Sequence, residues 1–183
     1  NPVPNTTSFT TPPPKTTPSR FAAQLAFVRS LQRQGKGYFA INEWGAGPDY
    51  GLNPSAIPHN ITRDVRQFVV AAFMLSNGRS SGVFLSCIQC YGGGSGGLGN
   101  FSIWEPEYSA DVGTPEGEPS QTPAGIWVRR YSRGLAAVNP AATEQAFVLP
   151  PLTDQQQGLV YRDLYHDTPL SGSVMLPPAS GLV

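Results

Sequence analysis

Three groups of side chains in this sequence have the residue types and the spacing that chemistry requires. Glu43 and Trp44 stand directly after the apolar run 38–42 and before a polar loop rich in glycine and proline. The acidic, aromatic segment 103–117 adds further carboxylates, namely Glu105, Glu107 and Asp111. A carboxyl group can serve as a general acid or base when its surroundings adjust its pKa. The third group is a C-x-x-C pair, Cys87 and Cys90.

The cysteine pair does not predict a metal or redox site. Zinc requires four ligands, and the chain has only 2 cysteines. A thioredoxin-type motif would open a helix, whereas Cys90 leads into a glycine-rich run that also lacks the Lys-Ser/Thr ending of a phosphate loop. In an oxidising compartment we therefore expect a local disulfide between Cys87 and Cys90. The two histidines, His59 and His166, lie in separate loop contexts, so we expect no metal and no cofactor.

The composition excludes two classes of partner. Charged residues make up 13% of the 183 residues, with 12 basic and 12 acidic side chains. Such a balance provides no basic field for nucleic acid and no polybasic patch for a membrane surface. The sequence has no apolar run long enough to span a bilayer. Since it neither begins with Met nor opens on a signal-peptide pattern, we expect a processed product or a segment of a longer polypeptide.

Other features favour a secreted or extracellular protein. Residues 1–19 are rich in threonine and proline and almost free of apolar side chains, so this tail should be extended or disordered. It is typical of an O-glycosylated stalk, although a plain flexible linker explains it equally well. Asn-X-Ser/Thr triplets predict N-glycosylation at Asn5, Asn60 and Asn100. The alternative is that these residues serve as caps and turns.

The elements that must position the candidate residues alternate between helix and strand. We predict a helix capped by Ser19 and ended by Gln34-Gly35-Lys36-Gly37, and then a strand at 38–42. A second helix, capped by Thr62 and ended by Asn77-Gly78, leads to a strand at 82–87. The predicted apolar face of the first helix consists of Phe21, Leu25, Val28 and Leu31. That of the second consists of Val65, Phe68, Val69, Ala72, Phe73 and Leu75. This alternation is typical of an α/β protein with a parallel sheet.

The remaining chain has the short, alternating runs of an antiparallel β unit. Residues 126–131 alternate with period two, and the turn 132–134 predicts a bulged hairpin with Gly134 at positive φ. Further strands are predicted at 146–149, 159–164 and 173–176, and a last one begins at Gly181. We therefore divide the chain into a tail (1–19), an α/β part (20–117) and a C-terminal β unit (118–183).

A family likeness covers Phe21 to Val183. Its segments, in order, are RDVRQFVVAAFMLSNGRSSGVFL (63–85), DVGTPEG (111–117), GIWVRRYSRGLAAVNP (125–140), FVLPP (147–151), YRDLY (161–165) and VMLPPASGLV (174–183). No single motif is specific, but their order and spacing resemble the C-terminal part of the glycoside-hydrolase-like family 15. Members of that family are built on a (β/α)₈ barrel. The resemblance implies the last strand–helix units of such a barrel, followed by the antiparallel β unit.

The chain departs from this family in length. A whole barrel takes about 200–250 residues, whereas only two strand–helix units precede the β unit. Three explanations are open: the first half of the barrel lies on another polypeptide, an insertion between the halves was cleaved, or the sequence is a fragment. The resemblance therefore implies two partners: a carbohydrate, and either the missing N-terminal half or another chain that covers the open sheet edge.

The resemblance also assigns roles to individual residues. Catalytic carboxylates of barrels project from the carboxyl ends of strands, which makes Glu43 the catalytic candidate. Trp44, Trp104 and Asp111 become candidates for substrate binding. The alternative is structural: Glu43 and Trp44 close the end of a strand, while the carboxylates of the acidic segment accept hydrogen bonds from loop amides and turns or pair with Arg129, Arg130 and Arg133. A complete catalytic pair is not expected within these residues.

Three functions follow. The first is a secreted glycoside-hydrolase-like protein present as the C-terminal portion of a barrel, whose status as an enzyme depends on the missing half. The second is a non-catalytic extracellular structural, fibre or cell-surface glycoprotein that reuses the fold. The third is an independent small α+β binding module.

Overall fold

The computed structural model describes residues 17–44, 63–78, 81–87, 106–152 and 158–183. Several predictions lie outside these residues: the glycosylation sites Asn5, Asn60 and Asn100, the cap Thr62, Cys90, His59, Trp104 and Glu105. The domain boundaries near residues 19 and 117 remain predictions.

The first helix, α1, spans Pro18–Arg33, and its N-cap lies two residues before the predicted one. Thr17, not Ser19, is the N-cap, and its hydroxyl accepts a hydrogen bond from Arg20 N at 3.3 Å. The following Pro18 explains the earlier start, because proline suits the first helical position, where no amide hydrogen is needed. The predicted apolar face is largely confirmed, since Phe21, Leu25 and Val28 are buried.

The three elements after α1 form a strand–helix–strand unit with a parallel pair of strands. Strand β1 covers Tyr38–Trp44, helix α2 covers Arg63–Ser76, and strand β2 covers Ser81–Cys87. β1 and β2 pair in parallel, from Tyr38 opposite Ser81 to Trp44 opposite Cys87. The mixed α/β class is thus confirmed. One parallel pair does not establish (β/α)₈ units, and the described residues form no closed barrel.

The buried face of α2 is rotated from the predicted one. Its buried positions are Gln67, Val70, Ala71, Met74, Leu75 and Ser76, whereas Phe68, Val69, Ala72 and Phe73 are only partly buried. The spacing still follows the helical period. The rotation arises because α2 packs mainly against strands of the C-terminal unit, which local apolar periodicity does not reveal.

The C-terminal unit is antiparallel, as predicted. Its main sheet has the order β10–β5–β4–β3. The strands of this sheet are β3 (Ser120–Gln121), β4 (Trp127–Tyr131), β5 (Gly134–Asn139) and β10 (Ser180–Leu182). Two small ribbons complete the unit: β6 (Gln145–Val148) with β9 (Ser173–Leu176), and β7 (Tyr161–Arg162) with β8 (Pro169–Leu170). The strand predicted at 159–164 is therefore shortened to two residues.

The hairpin turn also differs from its prediction. Tyr131 pairs directly with Gly134, so Ser132 and Arg133 alone form a two-residue connection without a bulge. Gly134 is an ordinary strand residue rather than one at positive φ. It lies close to Val112, where a Cβ atom would stand 3.5 Å from the Val112 Cβ.

The main sheet separates two apolar cores. Along β5, Ala136 and Val138 belong to the core shared with the helices, while Leu135 and Ala137 belong to the core shared with the β6–β9 ribbon. This alternation is the period-two pattern of a strand that is buried on both faces. The sheet is therefore the middle layer between the helices and the ribbon. Neither of the described helices is long and apolar enough to cross a membrane.

Candidate functional site

The candidate site lies at the carboxyl ends of β1 and β2. Glu43 is opposite Ser86 in the parallel register, and Trp44 is opposite Cys87. Both strands therefore end at the same edge of the pair. In parallel α/β sheets, ligands bind outside the carboxyl ends of the strands. Glu43 and Trp44 belong to β1 itself rather than to the loop after it, which is a correction of two residues to the predicted strand end.

The register adds a residue that the sequence analysis did not single out. Ser86 shares a register position with Glu43, so a hydroxyl-bearing residue and a carboxyl-bearing residue come together at this edge. The signal in the sequence was the polar ending of the run Gly82–Cys87 (GVFLSC), which resembles the ending of the first run in YFAINEW. Only the pairing of the two strands turns these endings into one place.

The C-terminus of α2, which leads into β2, is held by side chains from β4. Arg129 Nη1 donates to Met74 O at 3.1 Å and to Leu75 O at 3.4 Å, and it also bonds Asn77 O. The Tyr131 hydroxyl donates to Met74 O at 2.7 Å. The last carbonyls of a helix have no partner within the helix. Here the donors come from a strand more than fifty residues further along the chain.

α1 contributes to the same helix end through Arg29. Its Nη1 donates to Ser76 O at 3.4 Å and to Asn77 O at 3.5 Å. Its Nε donates to Glu118 Oε2 at 2.8 Å, and Nη2 bonds the other oxygen of that carboxylate. Arg29 therefore joins α1, the end of α2 and the segment before β3. We call this group the helix-end clamp: Arg29, Glu118, Arg129 and Tyr131.

The electrostatics of the clamp follow from burial and pairing. The hydrogen bond from Arg29 lowers the pKa of the Glu118 carboxyl below its ordinary value of 4.5. Burial lowers the pKa of the Arg129 guanidinium and raises the pKa of the Tyr131 hydroxyl. Arg129 is balanced mainly by carbonyl groups at a helix C-terminus, where the macrodipole favours a cation. Its guanidinium also lies 5.7 Å from the centre of the Tyr131 ring.

A second attachment joins the middle of α2 to the end of the chain. Gly181 in β10 lies so close to α2 that a Cβ atom would be 2.7 Å from the Ala71 Cβ. Nearby, Gln67 Nε2 donates to the buried Asp163 Oδ1 at 3.0 Å. The same oxygen accepts the amide of Tyr165 at 2.8 Å, which fixes the turn after β7. α2 is thus held along its length by the C-terminal unit.

Asp111 has partners within its own surroundings. Its Oδ1 accepts the amide of Gly113 at 3.0 Å, and its Oδ2 forms an ion pair with Arg133. The turn predicted for Asp111 and its pairing with an arginine are therefore both confirmed. These contacts agree with a structural role, while its role in substrate binding stays a prediction.

The predicted pairing of the other acidic residues with arginines is only partly correct. Glu107 Oε2 is buried and makes no hydrogen bond within the described part of the chain. Arg130 approaches Glu116 at 3.9 Å, and Arg129 binds backbone carbonyls, including that of Gly117, instead of an acidic side chain of this segment. The sequence pattern could not reveal this, because the carbonyls become available only where α2 ends.

An apolar groove of about 250 Å³ lies beside Asp111. Most of its lining is aliphatic, including Val112, Leu135, Leu149, Leu170, Leu182 and Val183. Arg162 also lines it, and donates to Asp167 Oδ1 at 2.8 Å. Asp111 and Arg133, which form an ion pair with each other, are also among its lining residues.

The described residues contain no group of three or more His, Cys, Asp or Glu side chains that could hold a metal ion. His166 lies 3.2 Å from Asp163 through Nδ1 and belongs to the turn after β7.

Comparison with known proteins finds no matching family model, curated protein or solved structure.

Proposed function

We propose that this chain is the C-terminal portion of a secreted, carbohydrate-active protein of the glycoside-hydrolase type. In this proposal β1, α2 and β2 are the last strand–helix units of a (β/α)₈ barrel, and Glu43 is its catalytic carboxylate from this portion. The observation that carries the proposal is the parallel register of β1 and β2, which brings Glu43 opposite Ser86 at the carboxyl end of the pair.

The chemistry needs a second carboxyl group. Retaining glycosidases place the two carboxyls about 5 Å apart, and inverting enzymes place them roughly 6.5–9.5 Å apart. Glu43 would supply one, and a strand from outside this chain would supply the other. Trp44, Trp104 and Asp111 remain the proposed contacts with the sugar, since aromatic faces and carboxylates are the groups that hold pyranose rings and their hydroxyls.

The proposal also requires a partner for the strand pair. Parallel sheets are buried on both faces in known folds, and two strands alone are marginal in water. An uncovered strand edge also promotes association with other chains. We therefore propose that the N-terminal barrel half, or another chain that provides parallel strands, lies against this pair.

The decisive experiment measures reducing-sugar release from a panel of oligosaccharides by the full-length protein and by its Glu43→Gln variant. Loss of the acid–base group should reduce turnover by about a thousandfold. Glu144→Gln is the matched control, because it makes the same chemical change at an exposed position directly before β6. Equal turnover by both variants would refute the role of Glu43.

The second candidate function is a non-catalytic extracellular glycoprotein. The threonine- and proline-rich residues 1–19 and the Asn-X-Ser/Thr triplets favour it, because both are typical of stalks and surface proteins. It predicts no turnover on any glycan, together with intact assembly and glycans at Asn5, Asn60 and Asn100 by mass spectrometry. Turnover that depends on Glu43 would exclude it.

A further inference from the structure

We propose that the C-terminal β unit positions the candidate site through the end of α2, with Arg129 and Tyr131 as the positioning residues. The consequence for sugar chemistry rests on the proposed function, whereas the mechanical coupling does not. The β unit would thus be a part of the site's support rather than an appendage.

The first step concerns the C-terminus of α2, which is held in part locally, by the Ser76 hydroxyl that donates to Phe73 O at 2.9 Å, and in part by donors from β4. Gly78, which follows the helix, is not in the left-handed conformation that ends many helices. The carbonyls of Met74 and Leu75 instead accept hydrogen bonds from Arg129, and Met74 O also accepts the Tyr131 hydroxyl. Without these donors the carbonyls would be buried and unmatched, which is costly.

The second step concerns the charge of Arg129. The side chain is buried. Its Nε donates to Gly117 O at 3.1 Å, and its Nη1 donates to Met74 O at the helix end. A buried guanidinium needs such compensation, because removal from water disfavours the charged form. The charge and the helix end therefore depend on each other, and neither can move alone.

The third step is the short connection from α2 to β2. The helix ends at Ser76 and the strand begins at Ser81, so only four residues separate them. An extended chain advances at most about 3.3–3.6 Å per residue, so four residues can carry the start of β2 only a limited distance from the helix end. A shift of Asn77, which Arg129 and Arg29 both hold, would therefore be passed to β2 and to the register of Ser86 with Glu43.

Hydrogen exchange of the full chain, without any carbohydrate, tests the coupling. In Arg129→Met, the amides of β2 should exchange about tenfold faster or more, since their local opening becomes easier. The amides of the β6–β9 ribbon should change by less than about twofold, because that ribbon packs on the opposite face of the main sheet. Arg130→Met is the matched control on the neighbouring position of β4, and it should leave both sets unchanged.

Tyr131→Phe serves as the milder variant if Arg129→Met does not fold. It removes one hydrogen bond while it keeps the ring, so β2 exchange should rise by about threefold with the ribbon unaffected. Equal acceleration in β2 and in the ribbon would mean a purely global loss of stability and would overturn the proposal. So would unchanged β2 exchange, or β2 amides that are already unprotected in the unmodified protein.

The outcome is independent of the glycosidase proposal. Selective loss of β2 protection without any sugar turnover would support the coupling and refute the enzymatic function. Turnover that depends on Glu43 but is accompanied by uniform exchange would do the reverse.

Discussion

The two α-helices in the described part of the chain end in different ways. α1 ends on local contacts: Lys36 N donates to Leu31 O at 3.0 Å, and Gly35 N donates to Gln32 O at 2.9 Å, with Gly35 at a φ of 73°. This is the Schellman arrangement. At the end of α2 the Ser76 hydroxyl donates locally to Phe73 O at 2.9 Å, but the carbonyls of Met74 and Leu75 bind side chains of the distant strand β4.

The two helices differ in which part of the chain supplies hydrogen bonds to their last carbonyl groups. The end of α1 needs no other part of the chain, because the residue at positive φ and its neighbours satisfy the carbonyls. The carbonyls of Met74 and Leu75 at the end of α2 gain their Arg129 and Tyr131 donors only when β4 lies against the helix. The C-terminus of α1 can therefore form before the rest of the chain folds, whereas that of α2 depends on tertiary contacts.

The largest expected effect comes from Arg129→Met. We expect the free energy of unfolding to fall by about 3 kcal/mol, since several buried carbonyls lose their donor at once. Urea denaturation followed by circular dichroism measures this loss. Arg130→Met should cost less than about 0.5 kcal/mol as a half-exposed position. Comparable losses in the two variants would show that α2 does not depend on its distant cap.

A second substitution tests the attachment in the middle of α2. In Gly181→Ala the new methyl group would meet the backbone at the Phe68 Cα, 2.9 Å away, as well as the side chain of Ala71. Overpacking of this kind costs about 2 kcal/mol. Thermal unfolding should show the loss, and Gly134→Ala controls for the backbone change at a strand glycine, because its Cβ atom would stand at an ordinary 3.5 Å from the Val112 Cβ. A neutral Gly181→Ala variant would contradict the close approach of β10.

The local end of α1 should be more tolerant. Gly35→Ala places a Cβ atom at positive φ, which costs about 1 kcal/mol, with open space around it. Gly35→Asn should cost less, because asparagine tolerates the left-handed region. A chemical denaturation series that ranks glycine, asparagine and alanine in this order supports the local cap. A loss as large as that of Arg129→Met would remove the contrast between the two ends.

The smallest effect is a dependence on pH. Because Arg29 lowers the pKa of Glu118 in the folded state, this carboxylate contributes stability above its ordinary pKa of 4.5. The contribution disappears as the pH falls through the lower folded value. Glu118→Gln should therefore be less stable than the unmodified protein near neutrality and should converge with it in acid. Denaturation curves between neutral and acidic pH would reveal a constant gap if this linkage were absent.

The features that could be predicted from the sequence are those that depend on local contacts. The face of α1 and its end at Gly35 could be predicted because both depend on neighbours in sequence. The strand that carries Glu43 was predicted for the same reason, with an error of two residues at its end. The turn at Asp111 was also correct, since its carboxylate binds an amide two residues away.

The features that escaped prediction depend on contacts between distant segments. The buried face of α2 was rotated because Gly181 packs against it. Arg129 was expected to pair with acidic side chains, since a sequence shows charges but not the carbonyls that a fold leaves exposed. Ser86 became a neighbour of Glu43 only through the parallel pairing.

The remote donors at the end of α2 have a consequence for the order of folding. Arg129 and Met74 are separated by 55 positions in sequence, so their contact must wait for the closure of a long loop. We expect the last turn of α2 to be open in the transition state. Replacement of Arg129 should then accelerate unfolding while it leaves the refolding rate nearly unchanged, which stopped-flow kinetics can measure.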